Sequence, residues 1–308
     1  MRIADSHSDY LAYCALGEYG DHVFNHGGLE QMRLGEVALQ NFAIWAPPDV
    51  PDHLACSMSE VAALLHLLRN KPEEAHLCTC QSHLTQSGIS VLLSVESGES
   101  IGCSFERIEE FYDWGVRMAS LTWNFENSFA SGALSEGGLK PHGRDALRVM
   151  NRLSLALDVS HLNAEGFWNA LDIYSGPPCA SHSSVYDRCP NPRNLKKDQI
   201  KALIERNGYI GINFFPEFLT GDKATANDIL DHIDYVLECG GEETVGLGSD
   251  FCGIHSTVDG LETPADFQLI PEAMKQRAYP DKLIEKICYG NFARYILQFL
   301  KHDTEESI

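Results

Sequence analysis

At 308 residues and 44% hydrophobic content the chain is long enough to bury a large core, as one α/β barrel or two smaller domains. Its 23 Lys plus Arg against 44 Asp plus Glu give a formal charge of −21, which repels phosphate backbones and anionic membranes and excludes nucleic acid as an expected partner. No apolar run approaches the roughly 20 residues that span a bilayer, and no basic region followed by an apolar stretch opens the chain, so a soluble cytoplasmic protein without a membrane partner is expected.

The first predicted strand, around 2–9, carries His7 and Asp9 in RIADSHSDYL. Alternate strand residues point to one face, so the pair can grip one metal ion. EYGDHVFNHGGLEQMRLGEV then reads as helix and loop at a rim. A second strand spans about 38–45, and PPDVPDHLACSMSEVAALLHLLRN supplies more rim helix. His22, His26 and His53 in these stretches are single histidines in polar loops and are assigned no role, as are His142 and His232 later on. AHLCTCQSH gathers His76, Cys78, Cys80 and His83, but its spacing matches neither common Cys-x-x-Cys layout, so surface helix or loop is expected there rather than a separate zinc site. The ten cysteines are too sparse for a disulfide framework and are expected to be reduced and mostly buried.

The third strand, 89–96, ends ISVLLSV on Glu96, and SFERIEEFYDWG follows as a helix. Strand 117–123 precedes the helix PHGRDALRVMNRL. Strand 153–160 brings LSLALDVS to His161, with Asn163 placed to cap the helix NAEGFWNALDIY. Strand 178–182 ends on His182, and KDQIKALIERNG is a helix with Gly208 as its stop. Strand 208–214, the helix ANDILDHIDYVLECGG with Gly240 as its stop, and strand 244–250 ending VGLGS on Asp250 complete the series.

Eight strands alternating with amphipathic helices, with no repeat or linker between them, predict one (β/α)8 TIM-type barrel domain over 1–308. In such a barrel all strand C-termini open on one face, so His7, Asp9, Glu96, His161, His182 and Asp250 converge there. Any one of them alone is an ordinary polar residue. Six at strand ends are hard to explain as stability devices. Three histidines and three carboxylates exceed what one tetrahedral ion with a bound water would use, so two divalent ions, zinc by residue type, are expected. Glu96 is the natural bridge, with His7 and Asp9 on one ion and His161 and His182 on the other. The expected chemistry is attack of a metal-bridging hydroxide on a carbonyl, with Asp250 handling the proton. Asp158 is expected to orient a ligand or close a turn. No G-x-S-x-G elbow points to a serine hydrolase.

The stretches DSHSDY, NFAIWAP, SVESG, LTWNFEN, ALDVSH, SHSSVYDRCPNPRN, GYIGINFFPEF, DHIDYVLECGGEETVGLGSDFCG and YGNFARYI resemble, over nearly the whole length, the membrane dipeptidase (renal dipeptidase) family of zinc metallopeptidases in the amidohydrolase superfamily. The resemblance implies the same five binuclear ligands, Asp250 as the acid/base residue, and Arg193 as the group that binds the substrate's terminal carboxylate. An Arg fork suits that planar anion. It also implies two departures. Trp123 stands where the well-studied animal members carry a histidine that stabilises the tetrahedral intermediate, and Cys252 stands where a second aspartate is common. Trp123 thereby becomes a substrate-side residue able to donate one hydrogen bond but unable to carry charge. The family implies hydrolysis of free dipeptides, L,D-dipeptides included, and a homodimer. A metal-dependent amidohydrolase acting on N-acyl amino acids or another small amide is the alternative. A noncatalytic scaffold is disfavoured because no ligand residue is lost.

Overall fold

The computed structural model describes residues 1–16 and 27–303; His22 and His26 lie outside them. Runs of small and branched apolar residues form the parallel strands β1 (Ile3–Asp5), β2 (Val37–Ile44), β3 (Ala75–Leu77), β4 (Ile89–Val95), β5 (Val116–Ser120), β6 (Ala156–Asp158), β7 (Cys179–Ala180), β8 (Tyr209–Ile212) and β9 (Val245–Leu247). Eight of them close a ring in the order β2-β1-β9-β8-β7-β6-β5-β4, with β4 returning to β2. This is the predicted (β/α)8 barrel, and each of the eight predicted strands has its counterpart.

The predicted helices form at Phe105–Asp113, Pro141–Leu153, Ala164–Leu171, Lys197–Glu205 and Ala226–Glu238. Their apolar residues recur at helical spacing; Ile229, Leu230, Ile233 and Val236 of the last one are all buried. Asn163 caps its helix, accepting from Gly166 N at 2.8 Å. Gly240, with φ 92°, ends another. The helix Lys197–Glu205 stops just before Gly208, and the left-handed residue there is Asn207, with φ 55°. Its amide side chain makes that conformation tolerable, and Gly208 N then closes the turn on Leu203 O.

Two expectations are overturned. AHLCTCQSH is surface helix only at its end, where Gln81–Thr85 makes a short 3-10 helix; Ala75–Leu77 is instead a ninth strand, and both Cys78 and Cys80 are buried. The reason is an exposed edge. β5 pairs with β4 only from Leu93 onward, and β3 fills the remaining half through Ala75↔Ile89 to Leu77↔Val91. His76 Nε2 bonds His83 O and His83 Nδ1 accepts from Thr79 N, so both rings are engaged in the local fold. His232 is not a solvated side chain; it is buried, accepts from Val185 N at 2.9 Å and bonds Leu219 O at 2.9 Å. It ties the loop after β7 to the loop after β8.

The N-terminal end of the barrel is plugged. Phe292, Tyr295, Ile296 and Phe299, from the helix Asn291–Ile296 and the turn after it, pack against Ala4, Leu92, Met118, Ala156, Cys179 and Tyr209 inside the ring. Burial of side chains this size stabilises by about 1.5–3 kcal/mol each. Filling that end leaves the opposite one for chemistry. Among the described residues, no helix is long and apolar enough to cross a membrane.

Candidate metal centre

β1 is shorter than its sequence suggests. The Asp5 carboxylate accepts from Ser249 N (2.8 Å), Ser249 Oγ (2.6 Å) and Gln40 Nε2 (2.9 Å), so the last residue of β1 is tied to the segment following β9 and to β2 by its side chain as well as by its ladder pairing with Gln40 and Leu247. Beyond it Ser8 bridges Phe251, which keeps the chain extended and leaves His7 and Asp9 on one face. Glu96 is the first residue past β4 and donates its N–H to Ile44 O. His161, His182 and Asp250 likewise stand just past β6, β7 and β9. His161 and Asp250 have φ 67° and 64°, conformations that cost a non-glycine residue of order 1–3 kcal/mol and cluster at functional sites.

All six strand-end residues meet in one buried cluster. His7 Nε2 lies 3.3 Å from Glu96 Oε2, 3.6 Å from Asp9 Oδ2 and 3.9 Å from Asp250 Oδ1. On the other side, His161 Nε2 lies 2.8 Å from Glu96 Oε1 and 2.8 Å from His182 Nε2, which is 3.8 Å from the same Glu96 oxygen. The two oxygens of Glu96 therefore face two separate histidine sets. Among the described residues, the groups of three or more His, Cys, Asp or Glu with metal-binding proximity all fall here.

The donor set fits divalent cations. Ligand atoms around a tetrahedral zinc, each about 2.1 Å from it, sit about 3.4 Å apart, within the range of the separations above. His7 Nε2 and Asp9 Oδ1 are buried without a hydrogen-bond partner, an expensive condition unless a cation meets them. Burial pushes the His161 and His182 imidazoles well below their ordinary range, with Arg193 and His7 adding to it, so both offer neutral nitrogen. Burial also lowers His7, but Glu96 and Asp9 outweigh it and hold that imidazole well above the usual value. Burial, then the charges of Asp9 and Glu96, push the Asp250 carboxyl up to about 8, opposed by His7.

Ring orientation is set from outside the cluster. His161 Nδ1 bonds Asn124 Oδ1 at 2.8 Å, and His182 Nδ1 bonds Ser181 Oγ at 2.7 Å. Ser181 Oγ donates to Asp158, which also accepts from Ser160 N and Ser181 N. Both imidazoles thus keep Nδ1–H outward and the Nε2 lone pair toward the site. Asp158 stands outside the cluster and reaches His182 through Ser181.

Around the cluster is a cavity of about 260 Å³ whose walls include Arg193, Trp123, Trp45, Phe215 and Phe218. Arg193 is buried rather than at the surface; its Nη2 donates to His182 O at 3.3 Å and its Nε has no partner. Trp123 lies 6.0 Å from the His161 ring. Cys252 follows Asp250 in the same turn, buried and with φ 69°. Four contributors went unread in the sequence: Asp5, Asn124, Asn213 and Trp45. Asp5 was signalled by the same alternation that marks His7 and Asp9. Asn213, which donates to Asp250 Oδ2 at 2.8 Å, ends β8 as the ligand types end other strands, but an amide is no metal signal.

Gly253 permits the close approach of two carboxylates. A Cβ there would sit 2.1 Å from Asp9 Oδ2 and 2.4 Å from Asp250 Oδ1. Gly253→Ala is expected to lower metal affinity by about 10- to 100-fold while leaving the fold intact. Metal titration beside circular dichroism checks this, and an unchanged affinity would count against the site's placement.

The sequence profile described as membrane dipeptidase (peptidase family M19) matches residues 1–307. A Schizosaccharomyces pombe protein described as an uncharacterized dipeptidase is 28% identical over 95% of this chain and 79% of its own length. A solved structure of a dipeptidase, described as a metallo peptidase, superposes with TM-score 0.89 at 25% identity, covering 97% of this chain and 98% of the other. A metallo peptidase from Rhodobacter sphaeroides, solved with a phosphinate mimic of the dipeptide L-Ala-D-Ala, has the same fold: TM-score 0.88, 24% identity, covering 97% and 99%.

Proposed function

The chain belongs to the membrane dipeptidase family, and on that premise we propose that it is a dinuclear metal dipeptidase cleaving free dipeptides, L,D-dipeptides among them. His7 and Asp9 would hold one ion and His161 and His182 the other, with the Glu96 carboxylate offered to both. The observation that carries this reading is the Glu96 carboxylate, one oxygen toward each histidine set. Zinc suits the nitrogen and oxygen donors. When bound, the ions supply Lewis acidity and make water acidic enough to deprotonate near neutral pH.

The chain's own residues do the rest. Asp250, steadied by Asn213, accepts the attacking water's proton and returns it to the leaving amine. Arg193 takes the substrate's terminal carboxylate through the donors left over after its single bond to His182 O. Trp123 closes the pocket beside His161 and offers one N–H. We place residues 1–308 in one functional domain, take the family's homodimer as the assembly, and assign the cytoplasm, where ten free thiols are at home.

The test is hydrolysis of L,L- and L,D-dipeptides by the zinc-loaded and the chelator-treated protein, with an N-acetyl amino acid alongside. Metal-dependent release of amino acids from dipeptides supports the reading, whereas turnover of the acyl amino acid alone moves the chain to a different amide substrate. Arg193→Ala is expected to raise KM for free dipeptides about 10- to 100-fold, since a hydrogen-bonded charge is removed. An equal rise for a carboxamide-ended analogue would sink the clamp.

A further inference from the structure

From the side opposite Arg193 round to β5, the cavity wall carries two indoles. In the eight-strand ring, β2 and β7 are four strands apart in either direction, so Trp45, the residue after β2, and Arg193, in the loop after β7, stand on opposite sides of the mouth. Trp123, just past β5, packs on Trp45 with ring centroids 5.5 Å apart and an interplanar angle of 52°. Both rings are half-buried and both line the cavity. The wall is held from behind. Trp45 N donates at 3.0 Å to Glu60 Oε2, a fully buried carboxyl on the helix His53–Asn70, so the backbone that carries the indole is tied to a packed helix.

We propose that the Trp45–Trp123 pair is the subsite for the side chain of the dipeptide's N-terminal residue and that it selects apolar and aromatic side chains there. The inference rests on the dipeptidase reading and deepens it. With the terminal carboxylate on Arg193 and the scissile carbonyl at Glu96, the amino-terminal half of a dipeptide extends away from β7, toward β2 and β5. A Leu or Phe side chain on that half loses water against two indole faces, and offset or edge contacts between aromatic rings add to the gain. An acidic side chain would lose its hydration against two indole faces that offer it no cation. Glycine gains nothing.

The experiment is a series of Xaa–Gly dipeptides on the zinc-loaded protein, with Gly–Xaa as the mirror series. L-Phe–Gly and L-Leu–Gly are expected to exceed Gly–Gly in kcat/KM by about 10- to 100-fold, and L-Asp–Gly to fall below Gly–Gly. Calorimetric dissociation constants for the phosphinate analogues of L-Phe–Gly and Gly–Gly should differ by a similar factor. Trp45→Ala and Trp123→Ala, made separately, should each shrink the Phe–Gly to Gly–Gly ratio several-fold; the ratio is read because a general loss of activity leaves it unmoved. Hydrolysis with a flat Xaa–Gly series, apolar preference confined to Gly–Xaa, or a ratio unchanged in both variants overturns the inference and spares the dipeptidase reading. No hydrolysis of any dipeptide overturns both.

Discussion

On the dinuclear reading proposed above, Glu96→Ala is expected to bind at most one equivalent of zinc and to lose at least about 10³-fold of dipeptide hydrolysis, because two ions held there would supply Lewis acidity and an acidified water jointly. Removing this side chain leaves His7 and His161 without the carboxylate that faces both, at 3.3 and 2.8 Å. What remains is a His7–Asp9 pair and a His161–His182 pair, each short of the ligands that a tetrahedral ion needs. Metal analysis of the dialysed variant beside its kinetics decides the matter. Two equivalents of metal with near-normal turnover would remove Glu96 from the centre. The fold should survive, since Glu96 sits beyond the last ladder residue of β4 and its backbone bond to Ile44 O is untouched.

Asp250→Asn should give the opposite split: metal content close to that of the parent and kcat down by about 10²- to 10⁴-fold, the usual range for a lost general acid–base group. Its carboxylate lies at the edge of the His7 set, 3.9 Å from Nε2, and is held by Asn213 rather than by a ligand. An amide is close in shape but exchanges no proton. Kinetics and metal analysis on one preparation separate the roles: full activity would sink the proton transfer, and loss of one ion would recast Asp250 as a ligand.

The alternation of His7 and Asp9, and the apolar runs that stop on Glu96, His161, His182 and Asp250, were legible because burial inside a parallel barrel demands uninterrupted apolar strands and puts polar residues at their ends. Helices with Ile229, Leu230, Ile233 and Val236 spacing were legible for the same reason. β3 was not, because a three-residue strand exists only to cover an edge left by the register of β4 and β5. The burial of Cys78, Cys80 and His232 was hidden likewise, since local polarity carries no information about which distant segment will cover a side chain.

The sequence by itself determined the barrel, its strand-helix order and the residue types available to a metal, since periodicity and strand-end chemistry are local properties of a chain. Tertiary structure decided which of Glu96's oxygens faces which histidine, that Asp158 reaches His182 through Ser181, that Asp250 leans on Asn213, and that Trp123 packs on Trp45, which stands across the mouth from Arg193. Those are distances between residues far apart in the chain, set by ring closure, register and packing, and no local pattern encodes them.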